Sequence, residues 1–165
     1  MKKTFLCFLI FFFSAVVKLP AQSTVKDSLY SNAIGDSIVN YAKTFLGIKY
    51  TYASASPKAG FDCSGLTWFV FKHYGFAIPR SAKDYKNLGT DIPIALARKG
   101  DIIVFRGTHK GDKTAGHVGI VISNPGEPVQ FIHASSSKNH SGVIITDYYS
   151  SNYPNRFIKI VRVLK

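Results

Sequence analysis

The chain has 165 residues, of which 46% are hydrophobic and 18% are charged. This composition excludes an intrinsically disordered chain, and the length suits one domain with its own core better than two. The formal net charge of +12 favours polyanionic partners such as cell-wall polymers, anionic lipid or nucleic acid, although a charge that only solubilises the protein is an equal alternative. Because the sequence has neither a Lys/Arg block nor a nucleic-acid-binding motif, nucleic acid is not an expected partner.

The first residues have the three-part pattern of a secretory signal peptide. Two lysines precede an apolar run over residues 4–17, and the small residue Ala21 follows at the expected exit. The run is shorter than the ~20 apolar residues that span a bilayer, but an uncleaved N-terminal anchor is the alternative. We predict a signal peptide over residues 1–21 and one domain over residues 22–165, exported to the periplasm or secreted, with no stable membrane insertion after cleavage. Without the three lysines of the signal peptide, the net charge is about +9.

The first half of the mature chain has helical patterns. Apolar residues recur every three to five positions over residues 29–45, which predicts an amphipathic helix ending near Gly47. A short extended piece and a Ser/Ala/Pro/Gly loop follow. A second helix is predicted from Cys63 to about Tyr74, and a third, shorter one between Pro79 and Gly89.

The second half has the pattern of β-strands. Five runs of β-branched and aromatic residues are separated by Gly, Pro, Asn and Ser turns: "DIIVFRG", "HVGIVIS", "VQFIHAS", "GVIITDYY" and "RFIKIVRVL". Helices followed by strands that are close in sequence predict an α+β domain with a mainly antiparallel sheet, and not alternating βαβ units.

The stretch "GFDCSG" places Cys63 where the second helix begins. Since Cys7 lies inside the signal peptide, Cys63 has no partner for an internal disulfide, and it is a buried small hydrophobe, a dimer-forming thiol or a nucleophile. Position in the first turn of a helix favours the nucleophile, because free N–H groups and the helix dipole stabilise a thiolate. The charge of Asp62 opposes this effect, so a separate base is required. The Ser64–Gly65 pair would let a backbone N–H approach an oxyanion.

Two histidines interrupt otherwise apolar strands and are the candidates for that base. The turn signal "NPGEP" is centred near residue 125, and a hairpin about this point would place His117 directly opposite His133, with a slip of one residue as the alternative. Both rings would then share one sheet face, with Val118 on the other. We expect the histidine face to look toward the start of the Cys63 helix, with the sulfur roughly 3–4 Å from a His117 ring nitrogen. The other histidines are expected in core, edge or solvated positions: His73, His109 and His140.

Two other interpretations of these three residues remain open. The two histidines can be separate structural residues of the sheet. With Cys63 they also make a three-ligand zinc site with an open position, although the sequence has no C-x-x-C or H-x-x-x-H spacing.

The ordered set of motifs resembles the NlpC/P60 family of papain-like cysteine peptidases. The likeness runs from about residue 38 to residue 163 and rests on "FLGIKYTYASASPKAGFDCSGLTWFVFKHYGFAIPRSA", "KGDIIVF", "HVGIVI" and "FIHASS". The resemblance implies a papain-like α+β fold, with N-terminal helices packed on a mainly antiparallel sheet of five to six strands. It also implies a cell-envelope hydrolase of peptidoglycan peptides, which usually cleaves the bond between D-γ-glutamate and a diamino acid such as meso-diaminopimelate.

Carried over position by position, the resemblance assigns the site residues. Cys63 matches the nucleophile, His117 the general base and His133 the polar residue that orients the base. Tyr50 matches a tyrosine that helps to hold the reacting carbonyl, although from the sequence alone a packed aromatic beside the helix is the better explanation. Neither metal nor organic cofactor is implied. The family commonly has Trp-Gly-Gly where this chain has residues 52–54, Tyr-Ala-Ser, so the preferred peptide is open. A related thiol amidase or acyltransferase and a non-catalytic cell-wall-binding module are the alternative functions.

Overall fold

The computed structural model describes residues 21–108, 111 and 113–164, so the predicted signal peptide, apart from Ala21, and His109 lie outside the described residues. The described elements are α1 (Ala21–Lys43), β1 (Ala55–Ser56), β2 (Gly60–Phe61), α2 (Cys63–His73), β3 (Thr90–Ile92), β4 (Ile102–Arg106), β5 (Ala115–Val121), β6 (Gln130–Ser136), β7 (Ser141–Asp147) and β8 (Phe157–Arg162). None of the helices within these ranges has the length and hydropathy to cross a membrane.

One antiparallel sheet organises the fold. Its six strands lie in the order β3-β8-β4-β5-β6-β7, and β1 and β2 form a separate small hairpin. This confirms the predicted α+β class and both predicted long helices. The third predicted helix is a 3₁₀ helix over Ala82–Asn87, in which the buried residues Ala82 and Tyr85 are three positions apart and so share one side of a three-residue turn. Strand β3 has no counterpart among the five predicted runs.

The sheet has two apolar faces, and only one of them carries the α-helices. On the helix face, strand residues pack against α1 and α2: Ile102, Val104, Val118, Ile120, Ile122 and Ile132. The opposite face is covered by a second cluster that includes Ile103, Phe105, Val121, Phe131, Tyr148 and Ile160. Because neighbours along a strand alternate between faces, each of the central strands β4, β5 and β6 contributes to both clusters.

A β-bulge near the start of β5 changes the face of the sheet to which the first side chains of this strand point. Phe105 of β4 is opposite His117, but the next residue, Arg106, is opposite Ala115, so Gly116 is the extra residue. The bulge leaves Ala115 on the helix face, whereas His117 shares the opposite face with its ladder partner Phe105.

The hairpin of β5 and β6 has a different register from the one expected by symmetry. The ladder pairs Ile120 with Ile132 and Val121 with Phe131, so its centre is residue 126 and not 125. The predicted direct opposition of His117 and His133 is therefore wrong. The observed register pairs each residue of β5 with a residue two positions further along β6 than the symmetry predicts. A shift of two residues preserves the alternation of side chains between the faces, so both histidines still share one face, as predicted.

Gly119 makes room for this register. The observed pairing, continued by one residue, sets Gly119 beside His133, and a Cβ atom on Gly119 would lie 2.6 Å from Cδ2 of Phe131 and 3.2 Å from the His133 Cβ. We expect Gly119→Ala to lower the free energy of unfolding by about 1–3 kcal/mol, measured by urea denaturation. Gln130→Ala, at an exposed position of β6, is the control and should change it by less than about 0.5 kcal/mol. Equal stability of the two variants would contradict this account of the close approach.

Candidate active site

Asp62 defines where helix α2 begins. Its backbone is extended (φ −86°, ψ 174°), and its Oδ1 accepts a hydrogen bond of 2.6 Å from the N–H of Gly65. This is an N-cap, which satisfies one of the free N–H groups of the first turn. Cys63 is consequently the first residue of the helix, as the sequence predicts.

The same carboxylate anchors a second segment of the chain. Nη1 of Arg80 donates to Oδ1 of Asp62 at 3.0 Å, and Nη2 donates to Oδ2 at 2.6 Å. Nη1 also reaches the hydroxyl of Ser64 at 3.2 Å, and that hydroxyl lies 3.1 Å from Asp62. A paired fork of this kind is both strong and directional. It joins the start of α2 to the segment that follows Pro79.

The Cys63 side chain lies at the bottom of a cleft of about 460 Å³. The residues that line the cleft are Tyr50, Tyr52, Ala53, Asp62, Cys63, Ser64, Arg80, Ser81, Ala82, Lys83, Ala115 and Gly116. Tyr52 is 86% exposed at the rim. The adjacent Ala53 has a positive φ of 56°, a left-handed conformation that favours glycine, at the position where the family pattern has glycine. The departure from that pattern therefore changes the residue but keeps a glycine-like backbone turn.

The sulfur of Cys63 meets the backbone of β5 on both sides of His117. Sγ lies 4.0 Å from the carbonyl oxygen of Gly116, and the backbone N–H of Val118 is close enough to lower the pKa of the thiol. The ladder between β5 and β6 comprises Ile120 and Val121, so the thiol contacts β5 beyond the part that pairs with β6, where β5 still pairs with β4. The start of α2 and the base candidate thus meet at the open end of the β5–β6 ladder.

The thiol is neutral in this arrangement. Burial raises the pKa of Cys63, and the charge of Asp62 raises it further, whereas the N–H groups of Val118, Ser64 and Cys63 itself lower it. The helix start therefore acts in the direction expected from the sequence, but desolvation of the charged form is the larger effect. A base must accept the proton before the sulfur becomes a strong nucleophile.

The two predicted histidines form a hydrogen-bonded pair. Nε2 of His117 lies 2.9 Å from Nδ1 of His133, and the two rings are nearly perpendicular, at 85°. Both side chains are almost fully buried beneath three aromatic rings, those of Phe105, Phe131 and Tyr153. The Tyr153 hydroxyl also lies 3.3 Å from Nε2 of His117. Within the described residues, both hydrogen-bond contacts of the His117 ring are made by Nε2, and Nδ1 makes none.

Both rings are held in their neutral form. Burial lowers the pKa of His117 well below its ordinary value, and His133 and the positive charge of Arg156 lower it further. Burial and the same arginine lower the pKa of His133 to about 3. The site at rest therefore combines a neutral thiol with neutral imidazoles, which is the protonation state that a general base requires.

The body of α2 and the histidine pair lie on opposite faces of the sheet. α2 packs with Val118 and Ile120, whereas His117 and His133 share the other face. Cys63, at the start of α2, contacts the β5 backbone beside His117, and the expected distance between its sulfur and the His117 ring stays a prediction. The face of a sheet that a helix covers depends on packing between distant segments, which the strand pattern does not contain.

Tyr50 lies beside Cys63, as the resemblance implies. It is partly buried, lines the cleft and forms an isolated bridge with Phe61, the residue before Asp62. Burial raises the pKa of its hydroxyl, and the nearby groups Cys63 and Asp62 raise it further. The hydroxyl is therefore a neutral hydrogen-bond donor at the wall of the cleft. Its role in holding a carbonyl stays a prediction.

Several residues near the site were not singled out from the sequence. Arg80 lies in the stretch "IPRSA", where an arginine after Ile-Pro was the only available signal. Tyr153 and Thr146 contact the histidine pair but are far from it in sequence. His73 packs in the core edge as expected, with its ring 4.1 Å from that of Tyr41, and His140 is exposed.

The positions of the metal-ligating side chains bear on the zinc interpretation. In the part of the chain that the structure describes, no three His, Cys, Asp or Glu side chains are grouped as metal ligands. The histidine nitrogens that approach each other are joined by a hydrogen bond, so this pair of nitrogens does not converge on a common third point.

Comparisons with known proteins match this chain to one family. The family model for the NlpC/P60 family matches residues 47–162. The chain is 36% identical over 116 residues to gamma-DL-glutamyl hydrolase of Bacillus subtilis, and the aligned region covers 70% of this chain and 26% of that protein. It is 31% identical over 153 residues to murein DD-endopeptidase MepS/murein LD-carboxypeptidase of Escherichia coli K12, with 92% of this chain and 75% of that protein covered.

A solved structure has the same fold. The crystal structure of an NlpC/P60 family protein from Bacillus cereus matches with a TM-score of 0.70 and 29% identity, over 79% of this chain and 40% of that chain. The chain thus spans about a quarter of the Bacillus subtilis hydrolase and less than half of the Bacillus cereus protein.

The buried neutral histidines predict that stability falls in acid. An unfolded histidine has a pKa near ~6.5, whereas His117 and His133 bind protons in the folded state only at lower pH. The unfolded state therefore binds more protons, and the free energy of unfolding should fall as pH decreases below about 6.5, by up to about 1.4 kcal/mol per pH unit for each histidine. Urea denaturation at pH 7.5 and pH 5 measures this. His133→Asn should flatten the slope and the exposed His140→Asn should not; equal slopes would contradict it.

The double role of Asp62 predicts a large stability loss on its removal. Asp62→Ala removes the helix cap and leaves Arg80 without its carboxylate, and we expect the free energy of unfolding to fall by about 2–4 kcal/mol. Asp36→Ala is the matched control, because Asp36 is half exposed and pairs with Lys99 at 2.8 Å. An exposed pair contributes less than about 1 kcal/mol. Thermal or urea unfolding of both variants tests the difference, and similar losses would refute the assigned role.

Proposed function

The chain belongs to the NlpC/P60 family, and from this membership we propose that it is a cysteine peptidase that hydrolyses the stem peptides of peptidoglycan. The observation that carries the proposal is the meeting of Cys63 with the β5 backbone on both sides of His117, whose ring is hydrogen-bonded to His133. The printed activities of the Bacillus subtilis and Escherichia coli relatives support the substrate class.

We propose that the bond cleaved is the one between D-γ-glutamate and a diamino acid. A γ-linked glutamate keeps its α-carboxylate free, so the acyl side of this peptide is anionic. Arg80 and Ser64 are already engaged with Asp62, but the wall of the cleft also offers Lys83 and the hydroxyl of Ser81, and such a cation and donor suit a carboxylate. The relative named gamma-DL-glutamyl hydrolase supports a γ-glutamyl bond, whereas the Escherichia coli relative is named for DD-endopeptidase and LD-carboxypeptidase activities.

The proposed reaction begins with proton transfer from a neutral thiol. Nδ1 of His117 takes the proton of Cys63 as Sγ attacks the amide carbonyl, and the imidazolium that results is stabilised through Nε2 by His133. The oxyanion accepts hydrogen bonds from the Cys63 N–H and the Tyr50 hydroxyl. His117 then protonates the departing amine, which leaves a thioester on Cys63. Water attacks the thioester with His117 as base, and the acid and the free thiol are released.

Residues 1–21 are proposed to direct the chain out of the cytoplasm. The charged start, the apolar run and the small residue Ala21 support a cleaved signal peptide. The net charge of about +9 that remains would favour adsorption to anionic cell-wall polymers. We therefore place the mature protein in the cell envelope or outside the cell.

Digestion of defined muropeptides by the purified mature chain, followed by mass spectrometry, tests the proposal. We expect cleavage after D-γ-glutamate, with a free amine and a free acid as products. Cys63→Ser should lower kcat/KM by at least about a thousandfold, because the hydroxyl is a much weaker nucleophile, while the near-isosteric change keeps the fold. Substantial hydrolysis by a well-folded Cys63→Ser protein would disprove the thiol mechanism.

Two treatments of the wild-type protein separate the remaining alternatives. A thiol alkylator should abolish hydrolysis and a chelator should not; loss on chelation that zinc restores would support a metal enzyme instead. A transferred acyl group among the products would identify an acyltransferase. Retained binding to peptidoglycan with no hydrolysis by the unmodified protein would identify a binding module.

A further inference from the structure

The outer nitrogen of His133 has a partner on a third strand. Nε2 of His133 lies 2.9 Å from the hydroxyl oxygen of Thr146. The ladder of β6 and β7 pairs His133 with Ile144, so Thr146, two residues further along β7, points to the same face of the sheet. Thr146, His133 and His117 therefore form a continuous row of hydrogen bonds across β7, β6 and β5.

The proposed function requires one order of protons in this row. If Nδ1 of His117 is to accept the thiol proton, its Nε2 must carry a hydrogen and donate it to Nδ1 of His133. A neutral His133 that accepts at Nδ1 carries its own hydrogen on Nε2, and that hydrogen points to Thr146. The opposite order would put the hydrogen of His117 on Nδ1, where it would block the base.

We propose that Thr146 is a positioning residue for the reaction, which holds His133, and through it His117, in the tautomer that leaves Nδ1 of His117 free. This inference rests on the proposed function. A hydroxyl accepts the Nε2 hydrogen of His133, whereas a hydrocarbon at this place would leave a buried N–H without an acceptor. His133 is almost fully buried, whereas Thr146 is partly buried and lines with His133 a cleft of about 390 Å³, so a water molecule in that cleft is the competing acceptor that the substitutions below test. Without the threonine acceptor, the tautomer of His133 with its hydrogen on Nδ1 becomes more populated. His117 then carries its own hydrogen on Nδ1 and does not act as the base.

The test compares two substitutions at Thr146. Thr146→Val has nearly the same shape but no acceptor, and we expect kcat to fall about tenfold to a hundredfold, by analogy with the loss of hydrogen-bond partners that orient metal-bound histidines. Thr146→Ser restores the hydroxyl and should retain most of the activity. Thr90→Val, at an exposed position of β3, is the matched control and should behave as wild type.

Nitrogen-15 NMR of the histidine rings, in the full mature chain, provides a readout that does not depend on hydrolysis. The wild-type and Thr146→Ser proteins should show the hydrogen on Nε2 of both His117 and His133, and Thr146→Val should show a population with the hydrogen on Nδ1. Should the valine variant fail to fold, Thr146→Ala against Thr146→Ser makes the same comparison.

The outcomes separate this inference from the proposed function. If the wild type hydrolyses stem peptides but Thr146→Val has unchanged spectra, or unchanged kcat, the inference is overturned and the function stands. If the wild type hydrolyses none, the proposed function fails and the positioning role fails with it. A tautomer shift and a fall in kcat in Thr146→Val, both absent in Thr146→Ser, support the positioning role and the proposed function.

Discussion

The hydrogen bond between the two buried imidazoles is the interaction on which the rest of the site depends. A length of 2.9 Å between Nε2 of His117 and Nδ1 of His133 requires one donor and one acceptor, which two neutral rings supply and two protonated rings do not. Burial and the charge of Arg156 keep them neutral. The geometry also requires β5 and β6 to lie close together, which the absence of a side chain at Gly119 permits. Electrostatics and strand packing therefore favour the same arrangement.

The sheet separates the two halves of the chemistry, and an irregularity joins them. Helix α2 and its thiol belong to one face, while the histidine rings and their aromatic cover belong to the other. At the start of β5 the bulge at Gly116 and the end of the β5–β6 ladder free backbone groups that the sulfur contacts. A regular ladder here would satisfy those groups within the sheet and exclude the thiol. The site thus exists because the pairing is incomplete at this point.

Local sequence patterns predicted most of the helices and strands. The features that these patterns missed depend on pairing between distant segments. The three-to-five-residue spacing before Gly47 and the capping residue Asp62 were sufficient for α1 and α2, and the β-branched runs for five of the strands. The symmetry argument for the hairpin failed because Pro128 has no N–H, and the loop closes instead between Ile122 and Gln130 at 2.9 Å. The bulge, the helix face and the contact with Thr146 each need a partner strand that no local window contains. Even so, Cys63, His117, His133 and Tyr50 lie in one region of the molecule.

The tie between Asp62 and Arg80 has a consequence for how a substrate is selected. One carboxylate caps the helix that presents the sulfur and also holds the segment that forms the opposite wall of the cleft. The ion pair thus couples the position of that wall to the position of the sulfur and opposes independent movement of the two. Such coupling favours selection by fit to a preformed shape over closure around a ligand. Under the proposed function, a stem peptide with a bulkier residue at this point would be excluded on entry, before any proton moves.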